Sequence, residues 1–462
     1  MSMTYVTIDK NICTGCQECT KVCPVDAIEG NPREAQEINT DKCVMCGQCV
    51  QKCKSYVSIV SHGNDAYEKV RKERNLPETV KEPLFAAYNV THINEVIEAL
   101  EDKSKFTMVQ SAPAVRMAIA EEFGFPLGSL ADKKMAAALR KVGFDKVYDT
   151  DFSADLTIME EGTELITRVT KGGVLPMFTS CCPAWVRFME LNYPEMTDHL
   201  SSCKSPQQML GPIFKTYGAQ ESKIKPENVF SVSVMPCTCK EYECNREEMK
   251  SSGFKDVDVV LTTRELAYLI KYKGIDFANL KDEEYDSPLG DYTGAGVIFG
   301  VGGGVMEAAL RTGYELITKK AIPDVNILSV RNYSGIKTSL IQVGDLTLKV
   351  GVVTGLKNVK EVMEDLKAGK LNDYHFIEVM TCPSGCVSGG GQPKLLEDTD
   401  TFEAIDHRRN STYKHDENLP LRKSHDNPSI KKIYKDYFGE PNGEKSHHLL
   451  HTTYYNGKTK KK

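Results

Sequence analysis

Apolar residues along this chain gather in short runs separated by charged stretches, and the runs differ in period. The segments 107–113 (Thr-Met-Val-Gln-Ser-Ala-Pro), 229–235 (Val-Phe-Ser-Val-Ser-Val-Met), 257–261 and 350–353 carry the apolar, β-branched character of buried strands. Between them, 114–122, 130–141, 157–169, 264–272 and 359–368 have the composition of helices. Strands interleaved with helices predict α/β layers, with functional loops where strands end. The stretch from His62 to about Pro83 is dense in charge (Glu68, Lys69, Arg71, Lys72, Glu73, Arg74) and predicts a polar connecting helix. Beyond about residue 405 charge and turn formers dominate, which reads as a C-terminal wrap rather than an independent core.

A chain of 462 residues, 40% hydrophobic, can bury a large core and implies two or more domains. The first ten residues lack the charged-then-apolar pattern of a secretory signal, and no apolar run approaches the roughly 18 residues of a membrane span. A reducing cytoplasm is the expected compartment. The net charge of -6 gives no reason to expect nucleic acid, and the basic residues at 458–462 read as a solvated tail. The 16 cysteines change the picture. Eight precede residue 54, eight lie between Cys181 and Cys386, and such clustering favours metal sites over disulfides.

Residues 1 to about 60 contain an internal repeat, in which Asp9-Lys-Asn-Ile-Cys13 answers Asn39-Thr-Asp-Lys-Cys43. Each half continues as C-x2-C-x2-C-x3-C: Cys13, Cys16, Cys19, Cys23, and then Cys43, Cys46, Cys49, Cys53. This is the bacterial two-cluster ferredoxin spacing, where the fourth cysteine of each run ligates the other cluster. One 4Fe4S cluster would use Cys13, Cys16, Cys19 and Cys53, the second Cys43, Cys46, Cys49 and Cys23. Zinc, the structural alternative, seldom repeats this spacing. Lys54 stands where a proline often follows and touches no ligand.

Three further segments carry cysteine: Met177-Phe-Thr-Ser-Cys181-Cys182-Pro-Ala-Trp185, Met235-Pro236-Cys237-Thr-Cys239-Lys240, and Met380-Thr-Cys382-Pro-Ser384-Gly-Cys386. Adjacent Cys181 and Cys182 cannot both face one metal site in the same way. Together the segments resemble the signatures of the iron-only (FeFe) hydrogenases. Between them the likeness includes Gln110 to Arg116, with Ala112 and Pro113; Leu200 to Gln208, with Gln207; and Phe299 to Glu307, with Gly300. It ends in 422–428 and 446–451, similar to a segment that some members carry as a separate small subunit.

The resemblance implies a good deal. An H-cluster would be held by Cys182, Cys237, Cys382 and Cys386, the last bridging a 4Fe4S cubane to a two-iron subsite with CO, cyanide and a dithiolate amine. Cys181 would be the free thiol that exchanges protons, and the relay would run through Glu161 and Ser201 to Glu164 and Arg168. Glu161 and Glu164 lie three residues apart, so one helical face can carry both. Lys240 would face the cyanide ligands, while Pro236, Met235, Met380 and Phe299, with Ala112, Pro113, Gln207 and Gly300, would line the pocket. The implied fold is an α/β catalytic domain of two lobes, with small twisted sheets flanked by helices (83–404). It follows an α+β ferredoxin-like domain (1–82) and precedes the wrap (405–462). A monomer exchanging electrons with ferredoxin or flavodoxin is expected, built by dedicated maturation proteins, with no second chain needed for the catalytic core.

Some positions depart from the family pattern. Ser384 stands where a glycine is usual, Cys239 where serine or alanine is usual, and Cys203 where alanine is usual. Donors near cluster sulfur tune potentials, so an altered bias between hydrogen oxidation and evolution is expected. A hydrogen sensor or an iron–sulfur assembly factor would lack the intact Thr179-Ser-Cys181-Cys182-Pro183 segment or carry a signalling domain. Gly300-Val-Gly-Gly-Gly-Val305 imitates a nucleotide loop but has valine at its sixth position. His447, His448 and His451 read as packing, because no cysteine or carboxylate cluster accompanies them in sequence.

Overall fold

A computed structural model describes residues 4–78, 81–395 and 401–457; the basic tail at 458–462 lies outside the described residues. The two N-terminal repeats fold alike. Cys13 N donates to Asp9 O and Cys43 N to Asn39 O, both at 3.0 Å, so each half opens on the same turn. Each cysteine loop then runs into a five-residue helix, Glu18–Val22 or Gln48–Lys52. The residues that start these helices, Gln17 and Gly47, have φ of 60° and 72°, a reversal that folds each loop back on itself.

The polar helix forms as Asn64–Glu73, yet it buries Tyr67, Val70 and Arg71 and packs on Val57 and Leu84. The chain then pairs back onto the N-terminal module. Leu84–Phe85 joins Tyr56–Val57, and Ala87–Asn89 joins Val6–Ile8, both antiparallel. Strand pairing of the first module therefore continues past residue 83.

Two four-stranded sheets follow. In the first, Val259–Thr262, Val229–Met235, Phe106–Ser111 and Lys146–Asp149 lie side by side, all parallel. Helices cover it, so Phe106–Ser111 is buried from its second residue onward. In the second, the hairpin Gly335–Val343 and Leu346–Thr354 adds to parallel Phe376–Met380 and Met177–Phe178. Its outer strand alternates half-buried and exposed residues, the pattern of an edge strand with one wet face.

Several elements depart from the sequence reading. The expected helix at 114–122 is broken into Pro113–Arg116 and the 3-10 turn Ile119–Phe123. Ala118 leaves helical geometry between them, and Arg116 is held buried by Asp132 and Asp149. The relay helix is longer than its periodic part, running Thr150–Lys171, because Asp149 caps it from the strand end by accepting from Asp151 N. The glycine run leads into a helix, Gly304–Thr318, that the sequence reading did not place. A Cβ on Gly304 would lie 1.6 Å from Ile298 O, so only glycine allows that turn to close. The carboxyl group at this helix N-terminus is that of Glu378, which accepts from Gly303 N and Met306 N at 2.7 Å each.

Candidate active site

Three parallel strands end at one cavity, and the cysteine segments leave from those ends. Met177–Phe178 delivers Cys181 and Cys182; Phe376–Met380 delivers Cys382 and Cys386; Val229–Met235 delivers Cys237 from the other sheet. Hydrogen bonds stitch the loops together. Val379 N donates to Thr179 Oγ1 at 3.0 Å, Gly391 N to Pro236 O at 2.9 Å, and Gly302 N to Ser384 O at 3.0 Å. The result is a cavity of about 760 Å³ of atom-free space. It is lined by Cys181, Cys182, Cys237, Cys382 and Cys386, together with Lys240 and Ala112, Pro113, Gln207, Met235, Pro236, Phe299, Gly300 and Met380.

Burial raises the thiols of Cys237 to about 11 and Cys386 to about 12, and that of Cys382 well above its usual value, with the charge of Cys182 adding to the effect at all three. Four converging thiols in a dry cavity bind a cationic centre that restores their thiolates. The donor set fits a 4Fe4S cubane. A smaller cavity, about 330 Å³ of atom-free space, is lined by Cys23, Cys43, Cys46 and Cys49. The larger one is more than twice that size, with Ala112, Pro113, Met235, Phe299 and Met380 among its lining, which gives room for a group beyond the cubane. In the N-terminal module the charges of Cys13, Cys53 and Cys16 act on Cys19, while those of Cys46, Cys43, Cys23 and then Cys19 act on Cys49, and Cys23 shares the smaller cavity with Cys43, Cys46 and Cys49. The fourth cysteine of each repeat thus crosses to the other trio.

Cys181 lies within reach of Glu161's charge, and burial first, then that carboxylate, holds its thiol protonated. Glu161 is itself raised to about 8, by burial and then by Glu164, with hydrogen bonding to Ser201 opposing. Ser201 Oγ donates to Glu164 Oε2 at 2.9 Å, and Arg168 Nη2 reaches Glu164 Oε1 at 2.6 Å. The Arg168 side chain is 15% exposed, so the series ends at the surface.

Lys240 donates to Cys181 O at 3.1 Å and Glu243 Oε2 at 2.8 Å. Burial disfavours its charge, but Glu243 and the nearby thiols outweigh that and hold it above its ordinary value. Glu243 is a residue the sequence reading missed, although its i,i+3 spacing from Lys240 was a readable signal. Gln48 was also missed: its amide donates to Cys382 Sγ at 3.4 Å and to Ser388 O at 3.1 Å, joining the two modules. Nothing local marks it. Thr381 Oγ1 lies 3.2 Å from Cys182 Sγ. Ser384 turns its hydroxyl to Tyr333 O, away from the thiols, whereas Cys239 is fully buried beside Cys237 and Cys182.

Comparison with known proteins places these residues in context. The chain matches the C-terminal domain of the iron only hydrogenase large subunit over residues 105–390, the iron hydrogenase small subunit over 402–457, and a 4Fe-4S dicluster domain over 5–54. It is 47% identical over 435 residues to the NADP-reducing hydrogenase subunit HndD of Solidesulfovibrio fructosivorans, covering 90% of this chain and 74% of that one. It is 40% identical over 450 residues to iron hydrogenase 1 of Clostridium pasteurianum, covering 93% and 78%. A solved structure of a variant of the [FeFe]-hydrogenase HydA1 from Chlamydomonas reinhardtii superposes with a TM-score of 0.70 at 42% identity, over 79% of this chain and 99% of that chain. With its ferredoxin-like 4Fe4S module and an α/β domain that gathers five cysteines around one cavity, the chain belongs to the iron-only hydrogenases, oxidoreductases that interconvert hydrogen with protons and electrons at an H-cluster.

Proposed function

We propose that Cys181, Glu161, Ser201, Glu164 and Arg168 carry protons between the cavity and the surface in this hydrogenase. One observation supports the reading above others: a series of titratable and hydroxyl groups runs from a cavity-lining thiol to a partly exposed guanidinium without an apolar break. Cys182, Cys237, Cys382 and Cys386 would hold the H-cluster, and the crossed sets of the N-terminal module its two 4Fe4S clusters. When bound, the H-cluster supplies the centre where hydrogen is made or split. The side chains do the rest. Cys181 keeps its proton until a neighbour takes it, Glu161 titrates near neutrality and hands on through Ser201, and Met235, Phe299 and Met380 exclude water. Lys240 offers a fixed positive charge to cyanide ligands, held in place by Glu243 and Gln207.

Electrons would pass by the cluster near exposed Cys16, then the one beside Cys46, then Cys382, which Cys46 neighbours. A one-electron carrier of the ferredoxin or flavodoxin class is the partner this path suits. The HndD relative, named for NADP reduction, supports a second reading in which partner subunits pass electrons to NADP; reduction by ferredoxin against NADPH separates the two. We place the units at 1–82, at 83–404 in two lobes, and at 405–462, with Leu84–Phe85 and Ala87–Asn89 of the second pairing onto strands of the first. The protein acts as a cytoplasmic monomer assembled by maturation proteins.

Protein-film voltammetry of the matured enzyme beside Cys181→Ala tests the proton role. A reversible current lost in the variant supports it; an equal current in both, with full iron and intact CO bands, overturns it. The same experiment on Cys239→Ser tests the altered bias, since an unchanged oxidation-to-reduction ratio removes Cys239 as its cause. Ser384→Gly is expected to leave the ratio alone.

A further inference from the structure

His451 has no ligand cluster beside it in sequence, but the fold supplies one. The residue follows the helix Glu444–Leu450, and its backbone pairs antiparallel with Cys203. Cys203 Sγ lies 3.9 Å from Glu164 Oε2 and 4.0 Å from each ring nitrogen of His451. A ligand atom from each of the three residues falls within 4.8 Å of the others. Two ligand atoms on a tetrahedral zinc sit about 3.5 Å apart, so side-chain adjustments of about 1 Å or less close the set.

The surroundings favour a cation. Glu164 and Glu160 lie close enough to act on the charge of Cys203. Glu160 is fully buried and its Oε2 stands 3.1 Å from His451 Nε2, in position to hold that ring. The thiol is superfluous to hydrogen bonding. Glu164 already accepts from Ser201 Oγ at 2.9 Å, from Ser202 N at 3.0 Å and from Ser202 Oγ at 3.2 Å, and it pairs with Arg168. Ser202 Oγ also meets His451 Nδ1 at 2.8 Å. Exposed His447 stacks on His451 with ring centroids 4.5 Å apart, and Cys203 borders a small cavity with Thr452 and Tyr454.

We infer that Glu164, Cys203 and His451 form a binding site for a borderline-soft divalent cation of the zinc class, and that its occupation withdraws Glu164 from proton transfer. One sulfur, one imidazole nitrogen and one carboxylate oxygen select zinc over magnesium or calcium, which take oxygen shells. The site stands on its own geometry; the loss of turnover rests on the proposed route through Glu164.

The test is zinc alone, added at one equivalent to chelator-washed, matured enzyme. Zinc K-edge absorption should show one sulfur at about 2.3 Å with nitrogen and oxygen at about 2.0 Å. Chelator competition should give an affinity at least about tenfold weaker in both Cys203→Ala and His451→Gln. Hydrogen turnover should fall with zinc occupancy in the wild type and hold in Cys203→Ala, with iron content and CO bands unchanged. Zinc bound without sulfur, or with equal affinity in wild type and both variants, overturns the site. Sulfur-ligated zinc that leaves turnover untouched keeps the site and refutes the route through Glu164.

Discussion

Replacing Glu161 by glutamine removes one transferable proton and little else. The side chain is 3% exposed, so bulk water has no ready way to stand in for it. Burial, and then the charge of Glu164, raises its carboxyl to about 8, so at pH 7 roughly nine-tenths of it is protonated. The sign of the pH dependence follows. On the proposed route, proton reduction requires Glu161 to hold a proton to pass inward, so the rate falls as pH rises through about 8. In hydrogen oxidation it must be empty to receive one, so the rate rises over the same interval. Glutamine preserves the volume but cannot titrate. Loss of one positioned acid–base group costs about 10²–10⁴ in rate, or about 3–5 kcal/mol of barrier. The assay is protein-film voltammetry of wild type, Glu161→Gln and Glu161→Asp between pH 6 and 9, with iron content and CO bands measured on each. The expected result is loss in both directions for glutamine and partial recovery for aspartate. A Glu161→Gln enzyme that keeps more than about a tenth of wild-type current refutes the reasoning, as does one that keeps the limb near pH 8.

Three other changes probe the connections around the cavity. Gln48→Leu removes the amide that donates to Cys382 Sγ; a donor to sulfur favours the reduced cubane, so the potential should move negative in an EPR-monitored titration of protein lacking the two-iron subsite, and an unchanged potential would discount the contact. Gly47→Ala places a Cβ 2.5 Å from Thr238 Oγ1 on a backbone with φ of +72°. It should cost about 1–3 kcal/mol, lower the midpoint of thermal inactivation, and slow a protein electron donor more than a small viologen; equal rates and midpoints would show that the module contact is unimportant. Lys240→Met strands buried Glu243 and should cost about 3–5 kcal/mol. Adding Glu243→Gln should restore denaturant resistance without restoring turnover, and recovery of both would deny Lys240 a role toward the cluster.

The proposed cysteine ligands are legible in the bare chain, because a cubane-binding loop is a local object. Three thiolates at x2 spacing wrap one centre, and the repeat of Asp9–Cys13 in Asn39–Cys43 shows that the object occurs twice. Glu161, Glu164 and Arg168 are legible for the same reason, since i,i+3 and i,i+4 positions share a helix face whatever surrounds them. Strands with dense apolar runs are legible too, while Phe376–Met380, with Glu378 inside it, is hidden by a carboxylate whose partners are backbone amides 72 and 75 residues away.

What meets across long separations is settled by the folded arrangement alone. Gln48 touches Cys382 from 334 residues away, and His451 meets Cys203 from 248. The histidines near the C-terminus read as packing because a linear search finds no thiol or carboxylate beside them, yet packing brings Cys203, Glu160 and Glu164 to His451. The break after Arg116 belongs to the same class, with the ion pairs to Asp132 and Asp149 overriding a helical composition. Local spacing fixes which atoms can share a metal or a face. Which distant surfaces then bury one another depends on the summed packing of both sheets, and no single segment of the chain carries that sum.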